Sequence, residues 1–243
     1  MKISILTLFP EQFEGFINTS IIKKAVLQDF CTIECVNIRD FTTDKHNRVD
    51  DKPYGGGAGL VMSCQPIVDA LRSVQTEQSH TVYLSPAGKT FNQAKAHQLK
   101  TFDHLILLCG HYEGVDERIL SYIDEEISIG DYVLTGGELG AMVLSDAIIR
   151  LLPGVISSDS IIEESFEQGL LEYPQYTLPA EYEGQKVPEV LMSGHHENIR
   201  KWRLKHALKK TLKQRPDLLE NRSLTKEEVR FLEEINTENC HSE

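Results

Sequence analysis

Long hydrophobic runs are missing from this sequence. No window approaches the roughly 20 apolar residues that a membrane-crossing helix needs, so the chain is read as soluble, with no membrane partner. Cysteine is scarce and odd in number: five, irregularly spaced, which excludes a disulfide framework and points to a reducing, cytoplasmic location. Cys31 and Cys35 form a CxxxC pair without a second pair of ligands nearby, so they read as buried or idle thiols rather than a zinc site. Positive charge is in deficit. Against 37 Asp and Glu stand 25 Lys and Arg, a net charge of −12, which excludes a chain that coats nucleic acid over its whole surface. Familiar motifs are absent as well. The run Gly55-Gly56-Gly57-Ala58-Gly59 lacks the Gly-Lys-Ser/Thr of a P-loop and does not directly follow a strand, so the dinucleotide fingerprint fails too. There is no Gly-x-Ser-x-Gly nucleophile motif, and His195-His196 lacks the HExxH spacing of a zinc protease. The N-terminus has no signal-peptide cleavage site and reads as a first strand.

What is present is an ordinary globular composition, 40% apolar and 26% charged. Alternation and short apolar runs predict strands at 3–9, 32–38, 81–85 (broken by Pro86 and Gly88), 105–109 and 126–129. Helical spacing predicts helices from Pro10 to about residue 26, at 63–74, at 92–99 with Asn92 as cap, at 115–122 and at 138–151. Strands separated by helices argue for a mainly parallel α/β sheet, whose ligands belong at the carboxyl ends of the strands. The loops after Leu84, Cys109 and Ile129 lie there. Residues 105–142 carry six glycines after an apolar run, which suggests a binding site made of loops whose backbone comes close to a ligand. The acidic run at 124–126 reads as solvated surface.

After Gly154 the texture changes to a polar, acidic linker and then to proline-punctuated chain. Residues 194–216 hold eight Lys or Arg and one Glu, a local +7 on an otherwise acidic body. That suits a nucleic-acid contact, or equally a solvated face, of a basic helix at about 197–213. Ile199, Trp202, Leu204, Leu208 and Leu212 are its expected buried side. Pro216 and Thr225 open two further short helices. The expected division is an α/β domain over 1–156, a flexible linker over 157–164 and a small helical domain over 165–243. On residues alone, Arg150 reads either as a helix C-terminal dipole partner or as an arginine reaching into the cleft. Glu163-Glu164 would ordinarily be surface acid.

Taken together, the segments PYGGGAGLVM, VYLSPAG, LCGHYEGVDERI, SIGDYVLTGGELGAM, DAIIRLLPGV, ESFEQGLLEYPQYTLP and VPEVLMSGHHENIRKWRLK resemble the bacterial tRNA (guanine-N1)-methyltransferases of the SPOUT class. The similarity is ordered and spans nearly the whole chain. It implies an α/β domain with a deep trefoil knot and a helical tRNA-binding domain, working as a homodimer whose active sites are shared between chains. The implied reaction moves a methyl group from S-adenosylmethionine to N1 of the guanosine 3′ to the anticodon (guanosine 37). The cofactor is expected on Tyr83, Leu84, Ser85 and Pro86, on Gly110, Tyr112 and Glu113, and on Ile129, Gly130, Asp131, Tyr132, Val133, Leu134, Gly136 and Gly137.

The chemistry sets further demands. Guanine N1 carries a proton that a base must remove, and charge developing on O6 needs a donor. The methyl must also sit in line with N1, at about 3 Å. By resemblance Arg150 is the donor and Glu164, before Ser165-Phe166, stands where the family has an aspartate base. Glu113 lies by the methionine end, where the family's magnesium requirement is often placed, with no fixed protein metal site expected. Asp50, Arg150, Ser165, His195, Arg200 and Arg203 are the expected tRNA contacts. Ala58 and Gly140 replace the family's usual prolines, and Leu178 its arginine. None of these three changes abolishes a required chemical group, so activity is expected; Glu164 and Leu178 motivate a catalytically weak tRNA-binding relative as the alternative function.

Overall fold

The computed structural model describes residues 1–220 and 222–240. They form two compact units, Met1–Ser157 and Ser158–Glu243. The first runs β1 (Lys2–Thr7), α1 (Glu14–Ile17), α2 (Ser20–Leu27), β2 (Thr32–Asn37), β3 (Asp50–Asp51), β4 (Val61–Met62), α3 (Cys64–Val74), β5 (Ser79–Thr90), α4 (Gln93–Leu99), β6 (His104–Cys109), β7 (Glu125–Ser128) and α5 (Glu138–Ile149). Tight 3-10 turns at Pro10–Phe13, Ile38–Phe41 and Glu117–Tyr122 fill the connections.

Five strands make one sheet in the order β2-β1-β6-β5-β7, and every pair in it is parallel. The mainly parallel α/β architecture expected from the alternation of strands and helices is therefore present. All six residues of the central strand β6 are buried, which is why it reads as an unbroken apolar run. On one side Leu6, Ile106 and Leu108 pack with Ile67 and Leu71 of α3 and with Ile119. Asn92 caps α4 by accepting a hydrogen bond from the Lys95 N–H at 2.9 Å.

Three local expectations need correction. The helix expected from Pro10 to about residue 26 divides into a 3-10 turn, α1 and α2, and Ser20 at φ 52° marks the break. The strand expected to stop at Pro86 continues to Thr90, because its pairing with β7 slips between Leu84 and Lys89 and then resumes. Proline removes one ladder donor, and a bulge absorbs the loss. The acidic run is solvated only in part: Asp124 is exposed, and Glu125 and Glu126 are half-buried. Asp124 Oδ2 accepts from the Thr81 N–H at 2.7 Å, and Glu125 lies 2.8 Å from both His80 Nε2 and Lys95 Nζ. Burial pushes the Glu125 carboxyl up, but its bonds to Lys95 and His80 win and hold it below the usual range.

The second unit contains α6 (Ser158–Ile162), β8 (Glu181–Tyr182), β9 (Gln185–Lys186), α7 (Glu189–Met192), α8 (His196–Gln214), α9 (Asp217–Glu220) and α10 (Lys226–Cys240). The β8–β9 hairpin turns through Glu183 and Gly184, both at positive φ (49° and 78°), as two-residue hairpins require. Its small core is Leu170, Ala207, Leu208, Phe231 and Ile235. The expected buried side of α8 holds at Leu208, with Leu204 and Leu212 packed against the core. Trp202 instead stacks on His206 at 3.9 Å. Among the described residues no helix is long and apolar enough to cross a membrane.

Candidate active site

The bulge within β5 and the loops that leave the carboxyl ends of β6 and β7 enclose a cavity of about 410 Å³, a size usual for small-molecule sites. The β5 bulge delivers Tyr83, Leu84, Ser85, Pro86 and Ala87 to one wall. The loop after β6 contributes residues 110–114, and the loop after β7 contributes Ile129, Gly130, Tyr132, Val133, Leu134, Thr135, Gly136 and Gly137. Gly140, at the start of α5, and Ile127 and Ser128, at the end of β7, complete the lining.

Backbone contacts join these loops directly. The Gly137 N–H donates to Gly110 O at 2.9 Å, and His111 forms an antiparallel bridge with Gly136. A Cβ on Gly137 would stand 2.8 Å from Cys109 Cα and 3.1 Å from the Gly110 nitrogen, both backbone atoms that cannot yield. Glycine there is a requirement of close approach. The Gly-rich loop belongs to the same structure. The Glu113 N–H donates to Leu60 O at 3.0 Å, the Met62 N–H to Gly114 O at 2.9 Å, and the Glu113 carboxylate lies over Gly59, where a side chain would collide with it.

The walls combine the apolar faces of Leu84, Ile127 and Ile129 with the side chains of Ser85, His111, Glu113, Ser128 and Thr135, between stretches of glycine backbone. Burial, then the field of Glu126, pushes the Tyr83 phenol up, so it stays neutral. Burial, then Glu138, raises the Cys109 thiol, which makes it a poor nucleophile. The cradle fits a flat nucleoside edge and an alkylsulfonium chain. For a divalent metal the fit is poor: among the described residues no three His, Cys, Asp or Glu side chains are grouped to hold one.

Of the cofactor residues expected from sequence, all but Asp131 line this cavity; Asp131 is exposed. Arg150 is half-buried at the C-terminal cap of α5, and Asp50 is half-buried in β3. Glu164 and Ser165 lie in the second unit, both half-buried. Ser165 Oγ accepts from the Glu172 N–H at 3.0 Å. His195 precedes α8 as an exposed cap residue. Arg200 is held by Glu197 and Glu227 at 2.9 and 2.8 Å, and Arg203 lies 3.2 Å from Glu163 and over the Tyr173 ring.

Sequence reading gave His111 no role of its own within the 110–113 loop, and it did not assign Ala87, Gly114, Ile127, Ser128, Thr135 or Gly140 to the cavity that they line. It also missed the pairing of the Gly-rich loop with Glu113. A signal for His111 existed: it sits inside the glycine-bounded segment at 110–114. Nothing local marked the partner segment around Leu60, more than fifty positions earlier.

Comparison with known proteins shows the family. A family model described as tRNA (Guanine-1)-methyltransferase TrmD matches residues 1–221. A protein of Dictyoglomus turgidum named tRNA (guanine-N(1)-)-methyltransferase is 57% identical over 239 residues, 98% of each chain. One of the same name from Halalkalibacterium halodurans is 54% identical over 240 residues, 97% of this chain and 98% of its own. A third, from Malacoplasma penetrans, is 57% identical over 218 residues, 90% of this chain and 96% of its own. The chain belongs to the tRNA (Guanine-1)-methyltransferase TrmD family.

Proposed function

We propose that this chain transfers a methyl group from S-adenosylmethionine to N1 of the guanosine 3′ to the anticodon of tRNA. The observation that carries the reading is the backbone-lined cavity at the carboxyl ends of three parallel strands, in a chain of this family. The donor supplies an electrophilic methyl on sulfur. The chain's own residues do the rest. Backbone groups of 110–113 and 129–137 hold the adenosine and methionine ends. Glu164 accepts the N1 proton, Arg150 donates to O6 as negative charge gathers there, and Glu113 lies beside the transferring methyl. A new N1–CH3 bond forms as the S–CH3 bond breaks, leaving S-adenosylhomocysteine. Ser165, His195, Arg200, Arg203 and Asp50 are assigned to the tRNA.

The knot of the SPOUT class, an active site shared within a homodimer and a cytoplasmic location belong to the same reading. Exposed apolar side chains beside the cavity support the dimer: Val133 is 87% exposed, and Leu139 and Val143, one turn apart on α5, are 53% and 46% exposed. The deciding experiment incubates the protein with methyl-labelled S-adenosylmethionine and tRNA transcripts that carry guanosine or adenosine 3′ to the anticodon. Nucleoside mass spectrometry should find N1-methylguanosine in the first transcript and no label in the second. Binding of the guanosine transcript without methyl incorporation contradicts the proposal.

A further inference from the structure

One carboxylate beneath the cleft lines none of it, yet ties its parts together. Glu138, in the first turn of α5, is 3% exposed. Its Oε1 accepts a hydrogen bond from Thr7 Oγ1 at 2.8 Å, and Thr7 Oγ1 accepts from the Phe9 N–H at 2.9 Å. Its Oε2 lies 3.9 Å from His111 Nδ1, a buried nitrogen with no hydrogen-bond partner. The Gly136 backbone lies beside them, so closely that a side chain on it would strike both Glu138 Oε2 and His111 Nδ1. The imidazole is confined by the Phe9 ring at 4.9 Å and the Tyr112 ring at 5.2 Å.

A carboxylate this deeply buried is costly unless its oxygens are satisfied. The helix N-terminus and the Thr7 hydroxyl satisfy part of that need. The orphan nitrogen of His111 faces the remaining oxygen. His111 is also the residue whose backbone bridges Gly136 and whose N–H meets Met62 Sδ at 3.2 Å. Fixing its ring therefore fixes the 110–113 wall against both the Gly136–Gly137 wall and β4.

We propose that Glu138 is a positioning residue for the methyl donor: anchored by Thr7 at the end of β1, its Oε2 holds the His111 ring by a charge contact at 3.9 Å, longer than a hydrogen bond, and so sets the spacing of the two cofactor walls. The proposal rests on the reading of the cleft as an S-adenosylmethionine site. A merely structural role would lower stability and affect both substrates alike; a positioning role falls on the donor.

The test uses full-length Glu138→Gln, His111→Asn and the double variant, with calorimetric titration of S-adenosylmethionine and steady-state kinetics for donor and tRNA. Each single variant should weaken donor binding and raise its KM about fivefold, less than the loss of a full hydrogen bond to a charged group would give, with the tRNA KM within about twofold. The double variant should cost no more than the worse single one, because both break one interaction. Thr7→Ser should retain wild-type donor affinity and Thr7→Val should lose part of it. Should Glu138→Gln fail to fold, His111→Asn and Thr7→Val carry the decision. Costs that multiply in the double variant, a tRNA KM that rises in step with the donor KM, or wild-type donor affinity in His111→Asn would each overturn the proposal. A wild-type chain that binds no S-adenosylmethionine overturns the underlying reading, and this inference with it.

Discussion

The cleft of the first unit and the basic helix of the second use opposite means. The cleft depends on what some of its residues lack: a side chain at Gly110 would meet Tyr83, one at Gly136 would meet His111 and Glu138, and one at Gly137 would meet the Cys109 backbone, so these lining positions stay bare. Helix α8 carries its chemistry on long charged side chains, and much of that charge is already engaged. Arg200 is held by Glu197 and Glu227, Lys205 by Glu234 and Glu238, and Lys209 by Glu238. α10, with five glutamates against one lysine and one arginine, supplies most of these partners. Counting cations along α8 therefore overstates the positive field open to a phosphate backbone. Exposed pairs of this kind are weak, in the range of about 0–1 kcal/mol, so a polyanion can displace them.

The largest effects are expected where side chains perform the proposed chemistry. Arg150→Ala should lower kcat by about a hundredfold or more while titration shows unchanged donor affinity. Glu164→Ala should likewise cut turnover far more than cofactor affinity, whereas Glu164→Asp should keep or improve the rate in the same assay. If Glu164→Ala stays fully active, the base lies elsewhere, with Asp50 or Glu163 next in line.

Next in size comes the test of backbone recognition. Gly137→Ala should weaken S-adenosylmethionine binding by tenfold or more, because its Cβ meets fixed backbone. Gly56→Ala, at φ 79° but with nothing within 4 Å, should cost only about 1–2 kcal/mol of local strain and leave donor affinity near wild type. Equal losses at both positions would break the distinction between close approach and loop flexibility.

The smallest effect belongs to α8. Glu227→Gln with Glu238→Gln frees Arg200, Lys205 and Lys209 in part, so tRNA affinity at low salt should rise a few-fold, with a steeper dependence on salt concentration. Affinity that does not change would mean that these cations take no part in RNA binding.

The parts of this molecule that sequence exposed are those with local causes. The apolar run of β6, the Asn92 cap and the glycine-rich exits from three strands each announce themselves within a few residues. The resemblance of long motifs to one family then named cavity residues that periodicity could not. What stayed hidden depends on distant partners. The bulge in β5 needs β7 to define it, and Glu125 looks like surface acid until Lys95 and His80 come to meet it. The ion pairs between α8 and α10 join residues about thirty positions apart. Glu138 has no signature either, since its meaning lies in Thr7, 131 residues away.

The account stands most directly on where the methyl donor binds, and a crystal structure of the full chain with S-adenosylmethionine tests it. The adenine edge is expected on the backbone of residues 129–134, and the methionine end beside Glu113. A donor bound outside the cavity, or a cavity that closes without backbone contacts to it, would contradict the account.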